Sequence, residues 1–198
     1  MFSEYDKGML TRFSKTLDTI YMNWLHTTSD NDGTSVVRDG NIFISGGSLA
    51  TFINDEETND WDFYVKNPET AAAITKFYKE SLGLVKMSEV YNKKLITANA
   101  ITLRIPDKVQ IVTMEDFSGH PKEVVNKFDY LHTTWYWDSV DKKLWVTPNI
   151  LNACKKKHLY VSNPDAWTQK REAKLINRDW GRVEDDNYKK AQDLNIPF

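Results

Sequence analysis

A short apolar run from Asn41 to Ser45 ends in Gly46-Gly47-Ser48, and Asp60-Trp61-Asp62 follows after eleven intervening residues. These two strings restrict the fold more than any other part of the chain. Strand, glycine turn and short helix (Leu49, Ala50, Phe52, Ile53) must be followed closely by a second strand in which Trp61, Phe63 and Val65 alternate with Asp60, Asp62 and Tyr64. Side chains two apart in a strand share a face, so Asp60 and Asp62 are expected side by side, with Cα atoms about 6.6 Å apart. Trp61 and Phe63 would anchor the opposite face in the core.

Aspartate is disfavoured in strands, so two in one short strand call for a reason. Paired carboxylates can ligate a hard cation such as Mg²⁺ or Mn²⁺, and Mg²⁺ commonly shares its ligands with substrate phosphates. The plainer alternative is an amphipathic strand with its aspartates in water. The glycines admit two readings as well. Without Cβ atoms, Gly46 and Gly47 let phosphate oxygens approach backbone amides, the helix start adds free N–H donors, and Ser48 caps the helix or bonds a phosphate. The alternative is a simple strand-to-helix turn. No Gly-Lys-Ser/Thr follows, which excludes a Walker-type phosphate loop.

The remaining pattern fills in the frame. Leu10, Phe13, Leu17, Ile20, Tyr21 and Trp24 recur at helical spacing, which predicts a helix from about Tyr5 to Leu25. Ser29 to Gly40 is a loop by composition, and Pro68 opens a helix to about Leu82. Extended segments are expected over Leu84–Tyr91, Leu95–Ile105 and Lys108–Met114, the last two a hairpin turning at Pro106-Asp107. A short helix over Pro121–Lys127 and a strand over Phe128–Trp137 follow. From Pro148 the pattern is helical, with Pro164 a start and Gly181 a stop. The expected class is α+β: a mixed or antiparallel sheet with flanking helices, residues 1–147 forming the main domain and 148–198 a helical extension packed on it.

Composition narrows the function. At 40% hydrophobic and 13% aromatic the chain can build a substantial core. A net charge of −2 does not mark a general nucleic-acid binder, and Lys155-Lys156-Lys157-His158 is best taken as a solvated face. The lone Cys154 excludes an intrachain disulfide and a cysteine-rich zinc site. His26, His120, His132 and His158 have no metal-ligand spacing and are expected to be structural or on the surface. No run is long enough to span a membrane and Met1–Lys7 lacks a signal-peptide character, so the expectation is a soluble cytoplasmic protein without a membrane partner.

Taken together, Ile44-Ser45-Gly46-Gly47-Ser48 and Asp60-Trp61-Asp62-Phe63 resemble the glycine and metal motifs of the DNA polymerase beta-like nucleotidyltransferase superfamily. The nearest pattern is the catalytic head of CCA-adding enzymes and bacterial poly(A) polymerases. Lys127-Phe128-Asp129-Tyr130 is similar to their Arg-Arg-Asp-Phe-Thr motif, which helps to hold the nucleotide sugar. Asp129 falls on the matching aspartate, while Lys127 and Phe128 stand where the arginines would be. Arg171, Lys174 and Arg178 echo arginines that meet the incoming nucleotide from a helix; a solvated basic face is the alternative. The resemblance implies a nucleoside triphosphate bound at Gly46, Gly47, Ser48, Arg171, Lys174 and Arg178. It further implies Mg²⁺ or Mn²⁺ on Asp60 and Asp62, Asp129 among the catalytic residues, and an RNA 3′ end as the favoured acceptor. Many members carry a third carboxylate on a later strand, where this chain has Gln110. Either two aspartates suffice, or Asp129 supplies the third, or the chain binds nucleotide as a regulatory or structural module without turning it over. A glycosyltransferase using Asp-x-Asp fits less well, because the upstream Gly-Gly-Ser has no part in it.

Overall fold

A computed structural model describes residues 1–28, 41–83, 94–96, 100–104, 107–183 and 196–197. Helix α1 spans Glu4–His26 and starts where chemistry favours it: the Ser3 hydroxyl accepts the Asp6 N–H, and the Asp6 carboxylate accepts the Ser3 N–H in return. Its buried face is the expected stripe, from Leu10 and Phe13 to Tyr21 and Trp24. The chain continues with β1 (Ile42–Ser45), α2 (Ser48–Ile53), β2 (Trp61–Val65), α3 (Pro68–Gly83), β3 (Lys94–Ile96), β4 (Ala100–Arg104) and β5 (Lys108–Val112). Then come α4 (Pro121–Val125), β6 (Tyr136–Asp138), β7 (Lys143–Val146), α5 (Pro148–Lys156), β8 (His158–Leu159), α6 (Gln169–Ile176), β9 (Gly181–Arg182) and β10 (Ile196–Pro197).

Among the described residues eight strands form one sheet, in the order β10-β7-β6-β1-β2-β5-β4-β3. Every pairing is antiparallel except β2 with β5. The class is therefore α+β with a mixed sheet and flanking helices, as expected. β4 and β5 pair antiparallel as the sequence suggests, but Leu95–Ile105 is not one extended segment: β3 and β4 are separate strands that pair antiparallel with each other. A separate parallel ladder joins β8 to β9.

Strand alternation gives the sheet two different faces. Ile42, Ile44, Trp61, Phe63, Val65, Val109, Ile111 and Trp137 belong to the main core. There Phe63 meets Trp24 edge-on at 5.1 Å and Tyr21 packs against Trp137 at 5.5 Å. The other face carries Phe43, Tyr64 and Tyr136, which form a smaller aromatic cluster with Val124, Val125 and Phe128. Tyr64 stacks on Phe43 at 5.2 Å. This second face is only partly covered, and the site lies there.

Two further expectations need correction. Phe128–Trp137 is not one strand: Tyr130 makes a single bridge to Val161, Leu131–Thr133 is a 3-10 turn, and only Tyr136–Asp138 is sheet. Side chains compete for the backbone here. Asp129 accepts the Tyr130 N–H, and the Thr133 and Thr134 hydroxyls donate to the carbonyls of Tyr130 and Leu131. Nor does Pro164 start a helix. Asn163 accepts the Asp165 N–H in a local turn, and α6 begins after Thr168, whose hydroxyl caps the Arg171 N–H. It ends at Ile176, short of Gly181. The segments expected over 29–40 and 84–91 lie outside the described residues. No helix among the described residues is long and apolar enough to cross a membrane.

Candidate active site

The β1–β2 register brings the two motifs into contact, because Ser45 stands opposite Asp62. Gly46 then turns the chain with φ +101°, a conformation open to glycine and poor for other residues. A Cβ at Gly46 would lie 2.6 Å from Asp62 Oδ2, so the absence of a side chain is what lets the carboxylate sit against the turn. Trp135 holds the turn from within the core, its indole N–H donating to the Gly46 carbonyl at 2.8 Å. The Ser45 hydroxyl donates to the carbonyls of Thr133 and Trp135. Gly47 differs: it has ordinary φ and open space around its Cβ position, and it caps α2 without a side chain.

A cavity of about 450 Å³, well sized for a small-molecule ligand, opens on this face. Gly46, Gly47, Asp62 and Gln110 line its polar end, Gln110 standing beside Asp62 through the parallel β2–β5 register. Tyr64, Val112, Phe117 and Phe128 line its apolar end. Thr168 and Arg171 reach it from the start of α6, and Lys127 and Asp129 from the segment before β6.

Asp62 is where electrostatics and geometry conflict most. Burial, and after it the charge of Asp60, push its carboxyl up from the ordinary 3.8 to about 7, against the weaker pull of Arg171, Lys108 and Lys174. Burial likewise raises the Tyr64 phenol well above its usual value, with Asp62 adding to the effect. Asp60 sits just before β2, half-exposed, and is paired with Lys108 at 3.3 Å. It lines a second, smaller cavity together with Gly47, Ser48 and Arg178.

Asp129 is buried at 4% exposure and is bridged by Arg171 at 2.7 Å. Burial still raises its carboxyl above the ordinary value, with Arg171 opposing. Arg171 is aimed by its neighbour: Glu172 turns inward, accepting the Trp167 indole N–H at 2.5 Å and pairing with Arg182 at 3.3 Å. Thus Gly46, Gly47, Asp62, Asp129 and Arg171 meet around one cavity, and Gly47, Ser48, Asp60 and Arg178 around the other. Lys174 is exposed and reaches Asp62 only through its charge, and Arg178 lies past the end of α6. In the basic run, Lys155 pairs with Asp6, and Lys157 with Glu56 at 2.6 Å. Sequence reasoning missed Tyr64, Phe117, Thr168, Lys108 and Glu172. The alternation that put Asp62 on this face puts Tyr64 there too; the others carry no local signal.

Residues 15–157 match the model of the Gabija anti-defense 2 family. No curated protein matches the chain in sequence. Among solved structures, a CCA-adding enzyme in complex with ATP aligns over 89% of this chain and 42% of its own, with a TM-score of 0.54 and 12% identity. A tRNA nucleotidyltransferase in complex with a primer tRNA and an incoming ATP analogue aligns over 72% of this chain and 43% of its own, with a TM-score of 0.50 and 16% identity. These likenesses are likenesses of fold, and the chain spans about two-fifths of the length of either structure.

Proposed function

The chain belongs to the Gabija anti-defense 2 family, and from that premise we propose that it is a metal-dependent nucleotidyltransferase. It would move a nucleoside monophosphate from a triphosphate to an acceptor hydroxyl and release pyrophosphate. The observation that carries this reading is Asp62 packed on the side-chain-free Gly46 at the polar end of a ligand-sized cavity.

In the reaction the acceptor oxygen forms a bond to the α-phosphorus, the bond from that phosphorus to the α,β-bridging oxygen breaks to release pyrophosphate, and the acceptor proton passes to solvent water. The phosphates would lie against Gly46, Gly47 and Ser48. Arg171, Lys174 and Arg178 would offset their charge, and Arg171 would leave Asp129 in part to do so. Asp129 and Thr168 flank the sugar in this reading, and the aromatic end of the cavity suits a base. In this reading the division expected from the sequence would have an extension from residue 148 onward bring Arg171 and Arg178 to the domain of residues 1–147.

The donor set fits a hard divalent cation. Burial, and after it the charge of the nearby Asp60, raises the Asp62 carboxyl, and the Gln110 amide would add a neutral oxygen beside Asp62. Asp60 and Asp62 would hold Mg²⁺ or Mn²⁺, which when bound would supply activation of the acceptor oxygen and charge neutralisation on the pyrophosphate. Among the described residues no group of three or more His, Cys, Asp or Glu gathers to hold a metal. Asp129, engaged by Arg171, is therefore better read as a positioning group than as a third ligand.

The motif pattern favours an RNA 3′ end as acceptor. The family description points instead to a target connected with the Gabija defence system, a component of which would be the other candidate acceptor. Gln110 supports a second reading, a nucleotide-binding regulator without turnover, because an amide cannot take the acceptor's proton. The test is pyrophosphate release from each NTP with Mg²⁺ or Mn²⁺ and total cellular RNA and protein. Release by wild type and silence of Asp60→Ala and Asp62→Ala are expected; equal release by either variant refutes the assignment, and nucleotide binding without release favours the regulator.

A further inference from the structure

The strand pairing that positions the two aspartates also fixes what stands beside them. In the parallel β2–β5 ladder Trp61 is level with Val109 and Asp62 with Gln110, so one step earlier Asp60 is level with Lys108. Val109 and Ile111 belong to the main core. Lys108 and Gln110, one residue to either side of Val109, therefore take the face that carries the aspartates. Each aspartate meets one residue of β5, and neither of these is acidic. Asp62 has an amide beside it, and Asp60 has an ammonium, with Lys108 Nζ donating to Asp60 Oδ2 at 3.3 Å. The charge of Lys108 reaches Asp62 as well.

The lysine and aspartate side chains are 37% and 35% exposed, and an ion pair this open contributes little to stability. Register, rather than the strength of the contact, keeps the ammonium at Asp60. A fixed cation there changes what the site can hold. With both carboxyls ionised, Asp60, Asp62 and Lys108 together carry one net negative charge. A second divalent ion would be repelled by the ammonium and would compete with it for Asp60. A single divalent ion has hard oxygen donors enough in Asp62, the other carboxylate oxygen of Asp60 and the Gln110 amide.

We propose that Lys108 stands in for one ion of a two-metal site, so that this chain takes one divalent ion on Asp60 and Asp62 and uses the Lys108 ammonium as the second cation. The inference rests on the nucleotidyl-transfer reading and adds Lys108 to it as a positioning residue. It holds Asp60 and supplies a charge that has no open coordination positions.

The experiment counts Mn²⁺ on the full chain in the presence of α,β-methylene analogues of the four common nucleoside triphosphates, which bind without turnover. Equilibrium dialysis against a nucleotide-only control gives the ions bound per chain, and electron paramagnetic resonance reads whether two ions lie close enough to couple. Wild type should bind one uncoupled Mn²⁺, and Lys108→Arg, which keeps the charge, should do the same. Lys108→Met, of similar length and uncharged, should admit a second ion about 4 Å from the first and give a coupled spectrum. Lys108→Gln decides the matter if Lys108→Met does not fold. Two coupled ions in wild type or in Lys108→Arg, or a single ion in the folded uncharged variant, overturn the inference while the transfer reading stands. Absence of bound Mn²⁺ from wild type brings down both.

Discussion

Replacing Asp62 with asparagine should make the metal-free protein more stable at neutral pH while abolishing its activity. Burial and the neighbouring Asp60 move the Asp62 carboxyl from 3.8 in an open chain to about 7 in the fold. Between those values the folded state holds a proton that the unfolded state has given up, so stability falls as pH rises from about 4 to 7 and stays reduced above that. At about 1.4 kcal/mol for each pH unit between the two values, the full penalty is about 4.5 kcal/mol. Partial exposure of Asp62 and relaxation around Asp60 reduce it to about 2–4 kcal/mol. Asparagine keeps the shape and carries no charge, so it escapes this penalty. Urea denaturation in EDTA at pH 5 and pH 8 gives the test. Asp62→Asn should exceed wild type at pH 8, and the gap should shrink by about 2 kcal/mol at pH 5. A variant less stable than wild type at pH 8, or a gap independent of pH, would refute the electrostatic account of the site.

Other outcomes follow from the same geometry. Mg²⁺ should raise the melting temperature of wild type at pH 7.5, by about 2.7 kcal/mol of stability at a hundredfold excess over Kd, and leave Asp62→Asn unmoved; equal shifts would contradict a metal at this carboxylate. Gly46→Ala forces a Cβ onto Asp62 Oδ2 at positive φ, costing about 1–3 kcal/mol and the activity, whereas Gly47→Ala should fold like wild type, as paired urea melts would reveal. His132 titrates in the opposite sense to Asp62. Its folded value of about 3 lies below the ordinary 6.5, so wild type loses stability as pH falls through 6.5, by about 2 kcal/mol from this residue by pH 5. His132→Phe should lack that loss, and a constant stability difference between the two proteins from pH 7 to pH 5 would count against it. Arg171→Ala leaves the buried Asp129, whose carboxyl burial already holds above the ordinary value, without its counter-charge; this should cost about 1–2 kcal/mol at pH 8 and less as pH falls, and the half-exposed arginine keeps the figure modest.

The parts of this molecule that were legible in the sequence are those set by local periodicity. The α1 stripe from Leu10 to Trp24 and the alternation of Trp61 and Phe63 with Asp62 each follow from one repeat distance, and both hold in three dimensions. The meeting of Gly46 with Asp62 was also implied, because eleven intervening residues suffice for one short helix and a return strand. What escaped depends on contacts between distant segments. Arg171 reaches Asp129 because Glu172 is drawn inward by Trp167 and Arg182, an arrangement with no periodic signature. His132 looked like a structural or surface histidine, and indeed it is buried, but its place at a cavity is fixed by Trp180 and by a 3-10 turn that side-chain hydrogen bonds impose on a strand-like sequence. Pro164 misled for a similar reason, as the Asn163 turn delays the helix to Thr168.

The most direct test of nucleotidyl transfer compares two labels on the same nucleoside triphosphate. Wild type is incubated with α-labelled or γ-labelled NTP, Mg²⁺ or Mn²⁺, and RNA and protein from cells carrying the Gabija system, with the Asp60→Ala/Asp62→Ala double variant as control. The account predicts that α-label becomes covalently attached to an acceptor, that γ-label does not, and that the double variant transfers neither. Attachment of γ-label, or α-label transferred equally by the double variant, would contradict it.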